Sequence, residues 1–521
     1  MSLALVIGGT RSGKSAHAER LALATGLPVR YVATADASDP VMAKRIAAHA
    51  ARRPAAWTTV DAGDGLAHAA ESAGEACVLV DGLGTWIAGA LHRAGAFDAP
   101  DGAVLERVAN EVRAQVDRLA GASQRASVIV VAEDAGRGVL PADAASRAWL
   151  DLLGEATQRL SAIAGRVDLI VAGRPIALSA PADPAAGLRH HGDRDVLPGD
   201  ADHAVNVLAG GPPAWLHDAL GAALDGAVER YPDESEAMAA LAALHGREPE
   251  EIVPTNGAAE ALWLLPGALR PRLAACVHPG FTEAEAALHA HGVPVVRVLR
   301  DPDDGFALDP AAVPDEADLV IAGNPASPSG TIDPASALLA LRRPGRVVVV
   351  DEAFMGLVPG EPASLAGERL HDVVVVRSLT KALGVPGLRV GYAIAPDPLA
   401  RRLRAVRPPW SANALALAAL TAAAARPDAL AATAHRAAAE RTDLERRLAS
   451  VSGVRAWPSA ANFCLVEVAD GPAVLAALRA QRIAVRPAAS FPGLGPGHLR
   501  ITARDPERNA RLAAALAEAV A

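Results

Sequence analysis

The sequence predicts an α/β protein built on parallel sheets and divided into two parts. Three observations predict it. Short β-branched runs alternate with helical patterns along the whole chain, as strands joined by crossover helices do. Near the start, an apolar strand runs straight into a glycine-rich turn and a helix, in VIGGTRSGKS. At 521 residues the chain is also too long for one ordinary core, so two to four domains of roughly 100–200 residues are expected.

In the first third, strands are expected near Leu3–Ile7, Val29–Thr34, Cys77–Val80, Ser127–Val131 and Val167–Ala172, with helices between them. The first helix is expected over Ser15–Ala24. Asp39-Pro40 can start another, with aspartate capping and proline at the first helical position. The segment Ser179–Leu188, SAPADPAAGL, has prolines, a glycine and no hydrophobic period, and reads as a linker. The expected division is therefore 1–178, a linker at 179–188, and 189–521, the last long enough for one large and one small domain. No internal repeat is apparent, so two unrelated enzymes in tandem are expected. The longest uncharged run, Ser411–Ala425, is shorter than the ~20 apolar residues of a spanning helix and is expected to be a soluble amphipathic helix.

Hydrophobic residues make up 51% of the chain, enough for a full core in each part, although aromatics supply only 3%. The net charge of -9 argues against a nucleic-acid or membrane-surface partner. Cys77, Cys276 and Cys464 are far apart and form no CxxC pattern, which fits a reducing cytosol and no structural metal. The start, MSLALVIGG, has no basic n-region, so a cytoplasmic location is expected.

Gly8, Gly13, Lys14 and Ser15 form the pattern GxxxxGK[ST]. Between a strand and a helix, a loop such as Gly8, Gly9, Thr10, Arg11, Ser12, Gly13 turns backbone N–H groups toward phosphate oxygens, and the helix N-terminus adds positive potential. Lys14 would reach the terminal phosphates of a nucleotide, and Ser15 would offer a hydroxyl to Mg2+. Asp81, ending the apolar run CVLVD, stands either where such a fold places a second acid for that ion or as a buried structural aspartate.

The chain holds 50 Lys plus Arg, yet its lysines are Lys14, Lys44 and Lys381 alone. Arginine stays protonated, whereas lysine can give up its proton and form a Schiff base, so a lysine in this background marks a place where an amine is of use. Lys44 has no assigned role. Arg45 and His49 lie four apart on one helical face, and on spacing alone His49 reads as structural or solvated.

GGTRSGKS, YVATA at Tyr31–Ala35, RIAAHAARRPAAW at Arg45–Trp57, and the segment Ala132–Ala164 together resemble the adenosylcobinamide kinase / adenosylcobinamide-phosphate guanylyltransferase family over residues 1–178. The resemblance implies a P-loop NTPase-like parallel sheet, GTP or ATP with Mg2+ as ligands, and a corrinoid substrate. It implies that His49 attacks the α-phosphate of GTP and carries GMP covalently, with Arg45 neutralising phosphate charge. Glu133-Asp134 and Thr157 depart from the family's Asn-Glu pair and a later asparagine. Two consequences stay open: loss of the kinase half-reaction with guanylyl transfer retained, or a nucleotide-binding regulatory module without catalysis.

TNGAAEAL at Thr255–Leu262, NPASPSGT at Asn324–Thr331, VVVVDEAF ending at Phe354, and SLTKALGVPGLR around Lys381 together resemble the pyridoxal-phosphate aminotransferases of fold type I. That class has a large α/β and a small α+β domain. The resemblance implies Lys381 as the cofactor-bearing lysine, Asp351 against the pyridine nitrogen, Asn324 on the phenolic oxygen and Phe281 stacked on the ring. It places Ser378, Arg389 and the backbone at Gly257-Ala258 around the cofactor phosphate. Phe354 stands where many relatives have tyrosine. Arg500, in HLRIT, matches the arginine that binds a substrate carboxylate. Arg486, in IAVRP, matches a phosphate-reading position of the histidinol-phosphate aminotransferase and threonine-phosphate decarboxylase branch, which Asn206 and His191 also resemble. A homodimer is implied by the fold type.

Both activities of that branch share one electron sink, and motifs do not separate them. The first resemblance favours the decarboxylase, because (R)-1-amino-2-propanol phosphate is the linker whose phosphate end the guanylyltransferase then activates. The expectation is a bifunctional cobalamin-biosynthesis enzyme acting on GTP, a corrinoid and L-threonine O-3-phosphate. A histidinol-phosphate-type transaminase is the second reading.

Overall fold

The structure is a computed structural model describing residues 3–34, 53–63, 65–98, 101–136, 140–178, 188–189, 191–227 and 229–520. The chain forms two compact units, Met1–Asp183 and Pro184–Ala521. The helix expected at Asp39-Pro40, with Lys44, Arg45 and His49, lies outside the described residues, as does the expected linker apart from Leu188. Leu188 is buried against Ala286 and Trp263 of the second unit.

The first unit is a seven-stranded sheet. Its strands are β1 (Leu3–Gly8), β2 (Val29–Ala33), β3 (Thr58–Asp61), β4 (Cys77–Asp81), β5 (Ser127–Glu133), β6 (Arg166–Val171) and β7 (Arg174–Ala177). They run in the order β3-β2-β4-β5-β1-β6-β7, parallel except for the β6–β7 pair. Successive side chains alternate between two apolar layers. Leu5, Val80 and Val130 face the helices Leu83–Arg93 and Ala144–Ile163, while Val6, Leu79 and Val131 face the helix Lys14–Ala24. Burial on both faces is why the central strands read as unbroken apolar runs. β3 and β7 were not among the expected strands, because both lie at the sheet's edges with mostly exposed residues and carry no such run.

The second unit carries two sheets. The large one orders β11 (Val295–Leu299), β10 (Ala274–His278), β12 (Leu319–Gly323), β13 (Val347–Asp351), β14 (Val373–Ser378), β15 (Val390–Ile394) and β9 (Ile252–Asn256), with β15 antiparallel to both neighbours. The small one orders β16 (Arg455–Ala456), β17 (Phe463–Glu467), β19 (His498–Thr502), β18 (Ile483–Pro487) and β8 (Ala201–His203). β8 comes from the start of the unit and pairs in parallel with β18, so the first strand in sequence completes the sheet made by the last ones.

The run expected as an amphipathic helix is instead a core helix, Ala414–Ala424, buried at Ala416, Leu417, Ala419, Leu420, Ala422 and Ala423. Alanine makes this possible, because small side chains let neighbours close in on several sides. Among the described residues no single helix is long and apolar enough to cross a membrane. Cys77, Cys276 and Cys464 are free and buried.

Candidate active sites

The first site forms where β1, β4 and β5 end. Gly13, at φ 93, turns the loop into the helix Lys14–Ala24, and a Cβ there would stand 3.1 Å from the Gly173 Cα. That helix start has no side-chain cap, which leaves its first N–H groups directed into the loop. Lys14 Nζ donates to the Gly9 carbonyl at 3.3 Å, folding the ammonium over the turn. Thr10 and Arg11 are exposed on its crest. Ser15 Oγ donates to Asp81 Oδ1 at 2.8 Å, so the two residues expected at the metal ion meet. Tyr31 supplies what the motifs did not reveal: its hydroxyl donates to Asp81 Oδ2 at 2.6 Å, and burial beside that acid pushes the phenol's pKa up. Thr34 Oγ1 fixes the Asp81 carbonyl at 2.7 Å.

Of the departing residues, Glu133 has a local explanation. Glu133 Oε2 accepts from the Gly84 N–H at 2.7 Å and so caps the helix Leu83–Arg93, whose Gly82 has no side chain to do so. A Cβ on Gly84 would stand 2.4 Å from that oxygen. Burial raises the pKa of Glu133, and Lys14 works against that rise. Thr157 Oγ1 is buried without a hydrogen-bond partner.

The second site is a cleft of about 570 Å3 in the second unit, with Lys381 in its wall. Lys381 Nζ lies 4.6 Å from the centre of the Phe354 ring, over its face. Burial, helped by the positive charges of Arg389 and Arg500, lowers the lysine's pKa to about 8, although Asp351 opposes the shift. Asp351 ends β13, buried, its Oδ1 accepting from the Ala353 N–H at 3.0 Å. Burial raises its pKa, and Lys381 moderates that rise. The consequence for the apoenzyme is testable. Coupling to pyridoxal phosphate needs the free amine, so its rate should climb with pH and level off above about 8 rather than near 10.5. Growth of cofactor absorbance after mixing measures this, and a rate still climbing at about pH 10 contradicts it.

The phosphate end is built by close backbone contact. Gly257 sits at φ 81 before the helix Ala258–Leu269, and a Cβ there would stand 2.7 Å from Arg389 Nη2. Ser378 pairs in register with Gly391, whose own Cβ would meet the Ala258 nitrogen at 2.5 Å. Ala258, Ser378 and Arg389 thereby line the same end of the cleft. Gly257→Ala should cost about 1–3 kcal/mol of stability for the backbone alone, since φ 81 with ψ 165 is a region essentially reserved for glycine, measured by thermal unfolding, and should weaken pyridoxal phosphate binding by displacing Arg389.

The substrate end is made by the small sheet. Arg486 and Arg500 are buried and stand directly opposite each other on β18 and β19. Arg500 donates to the Ala204 carbonyl at 2.7 Å and to Ser327 Oγ at 3.4 Å, and its Nε has no hydrogen-bond partner. Arg486 reaches Ser490 Oγ at 2.8 Å and Asp195 Oδ2 at 3.4 Å. Phe281, Asn206 and His191 also line the cleft. His191 Nε2 lies 2.7 Å from Glu283 Oε1, and the Trp263 indole N–H holds the other oxygen of Glu283 at 2.7 Å. Asn324 is fully buried, and its amide pairs with the Asp333 backbone at 2.8 and 3.1 Å. Ser327, Glu283 and Thr380, which line the cleft, and Asp195, which pairs with Arg486, were not read from sequence, because only tertiary contact brings them there.

A half-buried lysine of lowered pKa, a buried acid and a glycine cradle beside an arginine suit a phosphorylated aldehyde cofactor. Residues 202–516 match the family model of class I and II aminotransferases, and residues 4–178 match that of cobinamide kinase / cobinamide phosphate guanyltransferase. The chain belongs to both families. Its second part has the fold type I architecture of pyridoxal-phosphate enzymes. A histidinol-phosphate aminotransferase of Mycobacterium tuberculosis is 46% identical over 328 residues, 62% of this chain and 88% of that protein. A threonine-phosphate decarboxylase of Salmonella typhimurium is 32% identical over 329 residues, 60% of this chain and 90% of that protein. The bifunctional adenosylcobalamin biosynthesis protein of Pseudomonas aeruginosa is 40% identical over 176 residues, 33% of this chain and 95% of that protein. Pyridoxal phosphate is the cofactor of the second part, and the first is a GTP/ATP-binding domain.

Proposed function

We propose that this protein is a bifunctional cobalamin-biosynthesis enzyme, which guanylylates adenosylcobinamide phosphate in residues 1–178 and decarboxylates L-threonine O-3-phosphate in residues 189–521. The observation that carries the second activity is the facing pair Arg486 and Arg500. Two like charges on directly opposed cross-strand residues are unfavourable by themselves, and a substrate bearing both a carboxylate and a phosphate relieves them. A decarboxylase substrate must bring that carboxylate on its α-carbon. Its joining to a cobinamide-family domain in one chain supports the pathway.

When bound, pyridoxal phosphate supplies the electron sink for a developing carbanion. The protein's residues do the rest. Ser378, Arg389 and the Gly257-Ala258 backbone hold the phosphate, and Asp351 keeps the ring nitrogen protonated. Asn324 is assigned to the phenolic oxygen, and Phe281 to the ring face. Arg500 takes the substrate carboxylate and Arg486 its phosphate, with Asn206 and His191 beside them. Lys381 holds the cofactor and moves protons at Nζ.

In the first domain, the loop from Gly8 to Gly13 and Lys14 hold the nucleotide phosphates, and Ser15 and Asp81 would hold Mg2+. His49 is assigned as the GMP acceptor and Arg45 as its neighbouring cation. Incubation with GTP labelled at the α-phosphate should leave acid-labile label on the protein and none on His49→Ala. Tight GTP binding without label would instead favour the non-catalytic reading. A cytoplasmic homodimer through the second domain is part of the proposal, supported by the stacked and exposed pair Tyr231 and Trp410.

The 46% identity to a histidinol-phosphate aminotransferase favours a second reading, transamination. An amino-acid phosphate would then convert the cofactor to its amino form in one half-reaction, with the visible absorbance lost. A decarboxylase returns to the starting spectrum after each turnover.

A further inference from the structure

Three adjacent parallel strands of the large sheet end on one level, β10 at His278, β12 at Gly323 and β13 at Asp351. The alternation of side chains puts all three on one face. Two residues back, Cys276, Ile321 and Val349 share the apolar cluster of that face. The middle position is glycine, so no side chain separates His278 from Asp351. The notch between them is a cavity of about 20 Å3, lined by both and by Gly280, Phe281 and Ser327. One water needs roughly 10–15 Å3 of such space and two or more polar partners.

The notch has those partners. His278 is 1% exposed. Its Nε2 stands 2.7 Å from Glu285 Oε2, at ion-pair distance though off hydrogen-bond alignment. Glu285 is held in turn by His289 Nε2 at 3.0 Å and Arg297 Nη2 at 2.7 Å. The other ring nitrogen, His278 Nδ1, is buried without a hydrogen-bond partner. It lies 3.7 Å from where a Cβ on the cavity-lining Gly280 would stand. A buried, unpartnered polar nitrogen on a residue that lines a space of that size calls for a water.

We propose that one ordered water in this notch donates to His278 Nδ1 and to the Asp351 carboxylate, making His278 a positioning residue for the acid that faces the cofactor's ring nitrogen. The proposal rests on the reading of Asp351 as that acid. The chemistry is consistent around the ring. Glu285, kept ionised by His289 and Arg297, sets its carboxylate against Nε2, so a neutral His278 carries its proton there and presents Nδ1 as an acceptor. The water's two protons then serve Nδ1 and Asp351. Lys381 and the Ala353 N–H are the other groups that favour the Asp351 anion. Cys276, whose thiol burial keeps neutral, adds no charge.

Two variants break the link from opposite ends. His278→Phe keeps a ring and removes Nδ1. Gly323→Ala places a methyl in the notch, where its nearest neighbour is the Ala326 Cα at 3.5 Å, an ordinary contact. The readouts are the affinity of the apoenzyme for pyridoxal phosphate and the pH midpoint of the bound cofactor's visible absorbance. Both variants should bind about five- to tenfold more weakly. Both should also move the midpoint upward, because a less firmly ionised Asp351 leaves the ring nitrogen less positive and the lysine nitrogen more basic. Asp351→Asn is the control and should do both more strongly. If it does while the two variants bind and titrate like the parent, the water link is overturned. A variant that only loses thermal stability, with its midpoint unmoved, overturns it too. If Asp351→Asn changes neither readout, the reading of Asp351 has failed and the proposal falls with it.

Discussion

Replacing Lys381 by alanine is expected to abolish turnover of an amino-acid phosphate, lowering kcat by at least about 10^4-fold, and to remove the visible absorbance of the bound cofactor. The size of the loss follows from the site. Lys381 is half-buried in the wall of the cleft, and its pKa of about 8 leaves roughly a tenth of the amine free at pH 7, where an ordinary lysine has well under a thousandth. Its neighbours do not replace it. Arg389 and Arg500 cannot give up a proton at working pH, and Phe354 has no hydroxyl. Folding should be little affected, because a buried ammonium is costly and alanine removes it. Circular dichroism matching the parent, with no absorbance near the visible band, is the expected pair of results. Retained turnover would remove Lys381 from the mechanism.

Lys14→Ala is the second large effect, a fall of about 10^2–10^3-fold in nucleotide-dependent transfer by the first domain. Its ammonium rests on the Gly9 carbonyl at 3.3 Å, over the turn that faces the phosphates. Loss of that charge leaves the backbone N–H groups to stabilise a transferring phosphoryl group alone. Decarboxylation should be unchanged, so one preparation reports both effects. GMP transfer to a corrinoid acceptor at the parent rate would contradict the assignment.

How much of this was legible in sequence depends on the distance over which each feature is specified. The phosphate loop is local, since glycine, lysine and serine within eight residues fix its chemistry, and the helix begins at Lys14, one residue earlier than expected. Lys381 was legible by rarity, and Asp351 only through the set of motifs that resembles the aminotransferases, since an aspartate ending a strand says little alone. Tyr31 on Asp81 was not, because the two are 50 residues apart and meet only through the β2–β4 pairing. The opposition of Arg486 and Arg500 depends on strand register, which neither HLRIT nor IAVRP specifies. The same limit hid His278, whose partner across the notch is defined by the missing side chain of Gly323. The alanine-rich run Ser411–Ala425 misled for another reason: alanine fits an amphipathic surface and a tight core equally, and only the packing decided.

The decisive measurement is release of CO2 from L-threonine O-3-phosphate by the purified protein loaded with pyridoxal phosphate, with Lys381→Ala as the control. Stoichiometric CO2 and (R)-1-amino-2-propanol phosphate are expected, with an unchanged cofactor spectrum after many turnovers and no release by the variant. Absence of CO2, with the cofactor converted to its amino form, would contradict the decarboxylase and assign the second domain to transamination.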